Sequence, residues 1–241
     1  MTNPSGLHTK AIGLHEEGTG LWVLKSETWE QWVKTDRRCL WLHGIPGAGK
    51  TILASFLFGN TLKFGEDTDD VVSIYYYCYF AHAQDETIPL LGWVIGQLCR
   101  YTQEVPETLL SLHNTGHRPN TQQLMDGLAE ILKSLSTVYL VVDALDESKE
   151  PRDKLLSMLK ALATGPRFNK IQLLLTSREY FDIETVVSRF SASIQMRPDP
   201  IQEDIRTYAR KVMGTNYRFS NWPEDLRREV QDQLTVGAKG M

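Results

Sequence analysis

Two kinds of apolar patterning alternate along this chain. Short, nearly continuous apolar runs occur at Cys39 to Leu42, Val71 to Phe80 (with Ser73), Val138 to Val142 and Ile171 to Leu175 (with Gln172). A strand with one solvated face alternates apolar and polar residues, so nearly continuous runs predict strands covered on both faces. Between them, apolar residues recur at three- and four-residue spacing, which predicts helices. The first covers about Glu27 to Lys34, with Ser26 as N-cap and Trp29 and Trp32 on one face. Others are expected from Ile52 to Leu62, from Pro89 to Tyr101, and from Thr121 onward with Leu124, Leu128, Ile131, Leu132 and Leu135 as the stripe. A further helix begins at Pro151, a favoured first-turn residue, carries Leu155, Leu156, Leu159 and Leu162, and is stopped by Gly165 and Pro166. Ser193 to Met196 adds a last strand, while residues 104 to 120 read as loop.

Strands and helices in alternation predict an α/β fold with a central parallel sheet flanked by helices. Residues 1 to 17 have no clear period and read as a lead-in or linker, with 18 to 197 as the α/β domain. Beyond Pro198 and Pro200 the pattern turns helical, at Ile201 to Val212 and Pro223 to about Val236. Residues 198 to 241 therefore read as the start of a small helical subdomain. Its last helix keeps an apolar face in need of cover and meets no stop signal, the pattern of a truncated piece.

Composition narrows the function. With 26 Lys and Arg against 30 Asp and Glu the net charge is −4, so there is no global basic field and nucleic acid is not an expected partner. Cys39, Cys78 and Cys99 are odd in number and lie among apolar residues, which points to a reducing, cytoplasmic setting. Asn3 precedes Pro4 and so makes no glycosylation sequon, and the first thirty residues lack a signal-peptide layout. No apolar run approaches the roughly 20 residues that cross a bilayer.

The strongest chemical signal is Gly44, Ile45, Pro46, Gly47, Ala48, Gly49, Lys50 and Thr51, a GxxxxGKT string after an apolar strand and before an apolar helix. In that context glycines let backbone N–H groups turn inward around phosphates, and the helix adds its positive end. Lys50 would reach the β- and γ-phosphates, Thr51 would ligate Mg²⁺, and Ile52 follows as the adjoining contact. A second strand ends in Asp143, Asp146 and Glu147. A carboxylate at the strand tip, Asp143, can hold the magnesium shell opposite Thr51, and Glu147, ahead of Asp146, is placed to orient the attacking water. The plainer reading makes Asp146 and Glu147 caps of the helix near Pro151. Arg178 follows a third apolar strand, where it either contacts a γ-phosphate or pairs with Glu179 or Asp182. His43 is expected to be packing, Tyr75, Tyr76, Tyr77 and Tyr79 to be sheet filling, and His82, Asp85 and Glu86 to lie in a solvated loop rather than near the metal.

Taken together, WLHGIPGAGKT at 41 to 51, VVDALDE at 141 to 147 and LLLTSR at 173 to 178 resemble the NACHT domains of fungal NOD-like receptors, which are STAND-class P-loop NTPases. The segment GTGLWVLKSETWEQWV at 18 to 33 is similar to what precedes the P-loop in that family. The resemblance implies strand order 5-1-4-3-2 and a small helical subdomain, with Pro198 as a candidate for the base contact. It also implies a slow ATPase or GTPase switch with ATP/ADP or GTP/GDP and Mg²⁺, which self-associates in fungal non-self recognition and regulated cell death, an innate-immunity setting. An effector domain before this region and sensor repeats after it are part of that expectation. By position Lys50 and Thr51 match the family's Walker A residues, Asp143 its magnesium acid, Glu147 or Asp146 its hydrolytic acid and Arg178 its sensor arginine. The competing classes are a small-molecule kinase, for which no arginine-rich lid is evident, and a scaffold that holds nucleotide without turnover. Asn169, Lys170, Ile171 and Gln172 lack the aspartate of a guanine-reading NKxD motif, which leaves the base undetermined.

Overall fold

The structure, a computed structural model, describes residues 5–34, 37–66, 68–82 and 84–238, without the side chains of His82 and Pro198. In chain order the main elements are α1 (Ser5–Leu14), α2 (Leu21–Leu24), α3 (Glu27–Val33), β1 (Cys39–His43), α4 (Lys50–Leu62) and β2 (Val71–Tyr77). There follow α5 (Thr87–Thr102), α6 (Glu107–Asn114), α7 (Thr121–Ile131), β3 (Thr137–Asp143), α8 (Asp153–Thr164), β4 (Ile171–Ser177) and α9 (Phe181–Val187). The chain ends in β5 (Ala192–Gln195), α10 (Pro198–Thr215) and α11 (Glu224–Gly237). The five strands form one sheet in the order β2-β3-β4-β1-β5, every pair parallel, so the order implied by the family resemblance is the one observed.

Parallel strands need crossovers, and here these cover both faces of the sheet. On one face Trp41, Ile74, Tyr76, Leu140, Val142 and Leu173 pack with the apolar stripes of α5, α7 and α8. On the other, Leu40, Leu42, Val141 and Leu174 meet Trp29, Trp32, Leu53 and Leu57. Every residue of β4 is buried, which is why its run has no polar alternation. Ser26 caps α3 by accepting from the Trp29 amide, and the fully buried Trp32 donates its indole N–H to Leu173 O at 3.1 Å, which locks α3 to the central strand.

Helix α9 is not among the elements the sequence predicts, and three further stretches differ from that reading. Residues 5–14, which show no apolar period, form helix α1: buried His8 stacks on Tyr75 at 3.9 Å and places Nδ1 2.9 Å from Tyr77 Oη, with Ala11 buried beside it and Ser5 Oγ accepting from Tyr75 Oη at 3.3 Å. Two buried positions make too short a stripe to set a period. The loop assigned to 104–120 contains α6, whose face is only partly covered by α7, so its pattern is weak. Helix α8 starts at Asp153 rather than at Pro151, with Arg152 at its N-cap and the arginine side chain bonded back to Asp146 O and Ser148 O.

Candidate functional site

The loop 44–49 leaves the tip of β1 at the sheet centre. Gly47 and Gly49 hold φ of 80° and 83°, a left-handed conformation that side chains resist, while a Cβ on Gly44 would stand 2.9 Å from that of Met196. Helix α4 begins at Lys50 immediately after this turn, so its free amide groups face the loop's concavity. The Lys50 ammonium donates to Gly44 O at 2.9 Å and Ile45 O at 2.8 Å, folded over the same hollow. Burial lowers its pKa, against the attraction of Asp146 and Asp143.

Asp143 ends β3 and is 1% exposed. Thr51 donates its hydroxyl proton to Oδ2 at 2.8 Å, and Thr176, at the tip of β4, donates to Oδ1 at 2.5 Å. Burial nevertheless raises the Asp143 carboxyl to about 6; the two hydroxyls pull it down and Glu147 and Asp146 push it up. The Thr176 oxygen in turn accepts from the Ala144 amide at 3.0 Å, holding Ala144 at φ 58°. That left-handed residue, unusual without glycine, reverses the chain so that the turn 145–147 brings its two acids back over the sheet. Leu145, fully buried, anchors the turn. Thr176 is the residue the sequence reading missed. Its signal lay in the strand order, which places the tip of β4 between the loop strand β1 and the acid strand β3.

Asp146 does not cap a helix. It accepts the Arg178 amide on Oδ1 at 3.0 Å and pairs with Arg178 Nε through Oδ2 at 3.0 Å, its side chain 5% exposed against 40% for the arginine. This corrects the expected ion-pair partners of Arg178: Glu179 bonds His43 Nδ1 at 2.7 Å, and Asp182 pairs with Arg152 at 2.8 Å. Glu147 accepts the Phe80 amide at 3.3 Å and faces the same hollow as Lys50 and Thr51. His43 stacks on Trp41; Asp85 is exposed, as expected of a solvated loop, and accepts the Thr87 amide at the start of α5, whereas Glu86 departs from that expectation and is buried against the Tyr76 hydroxyl. The side chains of His82 and Pro198 lie outside the described residues.

Two pockets of about 270 Å³ each meet at the loop and share Gly47, Gly49 and Ile52. One is polar and holds Lys50, Thr51, Asp146, Glu147 and Arg178. The other is mostly apolar, walled by Leu14, Met196, Ile201 and Tyr208, with His15 and Asp204 as polar groups. The first carries charged groups that a chain of phosphates would need, and the second apolar walls that a flat heterocycle would need. Thr51 and Asp143 are hard oxygen donors suited to Mg²⁺, and Thr51 keeps lone pairs free while donating to Asp143. Among the described residues no group of three or more His, Cys, Asp or Glu could hold a metal alone. Phosphate and water oxygens would therefore complete the shell.

Comparison with known proteins agrees with this geometry. The family model described as "Nephrocystin 3, N-terminal" matches residues 18–178. The vegetative incompatibility protein HET-E-1 of Podospora anserina is 26% identical over 236 residues, covering 91% of this chain; the chain spans only 17% of that protein's length. In structure the chain is similar to the Walker-type ATPase PABY2304 of Pyrococcus abyssi, with a TM-score of 0.57, 12% identity, and 95% of this chain and 70% of that one covered. It is also similar to Cdc6p from Pyrobaculum aerophilum, at 0.52 and 14%, covering 87% and 54%. At such identities these two show the fold alone. The family match takes in the loop, the acid strand and Arg178, and the chain belongs to the nephrocystin 3 N-terminal family as a NACHT-like P-loop NTPase domain.

Proposed function

We propose that this domain binds a nucleoside triphosphate with Mg²⁺, hydrolyses it slowly, and serves as the switch of a NOD-like signalling receptor. The observation that carries this reading is the joining of a phosphate-sized polar pocket to an apolar pocket across one glycine loop. Bound magnesium would neutralise charge developing on the phosphates. Thr51 and Asp143 would hold the ion, Lys50 would turn from Gly44 and Ile45 to the phosphates, and Glu147 would orient the water. Arg178, already held by Asp146, can reach the γ-phosphate only by sharing or leaving that carboxylate, which suits slow turnover. The apolar pocket receives the base, with adenine and guanine both open.

The name of the Podospora relative, a vegetative incompatibility protein, supports a setting in fungal non-self recognition and regulated cell death. Self-association and flanking effector and sensor regions belong to the same reading. So does a cytoplasmic location, which the free cysteines Cys39, Cys78 and Cys99 favour. Among the described residues no helix is long and apolar enough to cross a membrane. Titration calorimetry with ATP, ADP, GTP and GDP plus Mg²⁺ tests the reading, with Lys50→Ala as control. One base should bind tightly, and the variant should lose about 100-fold or more of the triphosphate affinity. Equal binding by variant and parent would sink the assignment.

A further inference from the structure

We propose that Arg152 is a positioning residue that sets the stance of the Asp146–Glu147 turn against Arg178; this rests on the hydrolytic reading above. Its side chain is 4% exposed, and burying a guanidinium costs several kcal/mol unless its donors are used. They are used on two loops. Nη2 donates to Asp146 O at 2.7 Å and Nε to Ser148 O at 3.1 Å, so both ends of the acid-bearing turn hang from one planar group. Nη1 pairs with Asp182 at 2.8 Å and with Glu150 at 3.0 Å, and Cζ lies 5.6 Å from the Tyr180 ring centroid. Tyr180 and Asp182 follow Arg178 directly, so the guanidinium bridges the segment that carries the arginine and the turn that carries the acids.

The Asp146–Arg178 pair joins the same two segments at the pocket, and Arg152 joins them a layer behind. Arg152 does not line the two pockets that meet at the loop; it lines a neighbouring one with Asp146, Glu147 and Arg178, where its donors are already taken by Asp146 O, Ser148 O, Asp182 and Glu150. A lysine cannot substitute, since one ammonium with three donors cannot serve two carbonyls and two carboxylates that a five-donor fork reaches in its plane. The structure thus separates affinity, which Arg152 leaves alone, from turnover, which it governs through Glu147.

The test compares the parent, Arg152→Lys and Arg152→Ala, each with and without Glu147→Gln, by thermal melting, calorimetric affinity for the Mg-triphosphate the parent prefers, and single-turnover hydrolysis. Arg152→Lys should keep affinity within about twofold and lose about tenfold in hydrolysis, with no further loss on the Glu147→Gln background. If Arg152→Ala does not fold, the lysine variant decides. Unchanged hydrolysis, a parallel loss of affinity and hydrolysis, or losses that multiply on the Glu147→Gln background would each overturn the proposal. So would a parent that binds nucleotide without hydrolysing it. A parent that binds none of the four nucleotides fails the function reading itself, and that is seen before any Arg152 variant is compared.

Discussion

At the acid end of the cleft, Asp143 and Thr176 stand at the ends of neighbouring parallel strands while Lys50 and Thr51 open helix α4; Thr51 and Thr176 donate to Asp143 at 2.8 and 2.5 Å, and Lys50 donates to the loop carbonyls of Gly44 and Ile45 at 2.9 and 2.8 Å. At the apolar end the walls come from three segments far apart in sequence, around Leu14 to Gly20, Gly47 to Leu53 and Met196 to Tyr208. There the lead segment is joined to α10 chiefly through one carboxylate, Asp204, which accepts from the Gly20 amide at 3.1 Å and from Trp22 Nε1 at 3.0 Å. A pair between Lys211 and Glu16 adds little, being solvent-accessible on the lysine side. The sheet makes the acid end rigid before any ligand arrives. The apolar end is rigid only as far as a loop and a helix stay docked.

The largest effect expected from that contrast is at the acid end. Glu147→Gln should lower single-turnover hydrolysis about 100-fold and leave the preference among bases unchanged. A shifted base preference would mean that the two ends are not separate. Next comes Asp143→Asn. Burial raises this carboxyl from 3.8 to about 6, so the folded chain holds its proton more firmly than the unfolded one. The ligand-free domain is then most favoured below the unfolded value, loses stability as pH climbs toward 6, and stays on the lower plateau above it. Asparagine removes that cost. Melting at pH 8 should rise by the equivalent of about 2–3 kcal/mol at most, with no difference from the parent near pH 3, while Mg²⁺-dependent tightening of nucleotide is lost. A variant that melts at or below the parent at pH 8 would show that the hydroxyls of Thr51 and Thr176 outweigh burial. The smallest effect belongs to the apolar end. Asp204→Ala leaves two part-buried donors without this partner and should cost about 1–2 kcal/mol in urea unfolding. It should also weaken all nucleotides several-fold without altering hydrolysis of what is bound. Unchanged affinity would remove this pocket from the site.

Legibility in the sequence followed the same division. The sheet could be read because its strands are covered on both faces and show as nearly continuous apolar runs, and the glycine loop because its residue types stand at fixed spacing between a strand and a helix. Asp143, Asp146 and Glu147 were legible as acids after a strand, but their partners were not. Arg178 pairs with Asp146, 32 residues away, rather than with its sequence neighbours, because the reversal at Ala144 brings the turn across β4. Thr176 and Arg152 carry no motif of their own; their importance comes from adjacency that only the strand order creates. The apolar pocket was illegible because no one segment forms it. Helix α1 escaped notice because only His8 and Ala11 in it are buried, too few positions to set a period.

That helix has a mechanical consequence. His8 fastens α1 to Tyr75 and Tyr77 on β2, and Leu7, Lys10 and Ala11 form the far wall of a crevice whose floor includes Thr51, Asp143 and Glu147. A ten-residue helix is about 15 Å long, so polypeptide joined ahead of Ser5 would hang from a short lever hinged beside Asp143 and Glu147. Torque applied from that side, or released by it, would register as a change in the width of the crevice, and the hinge pin would be one aromatic stack.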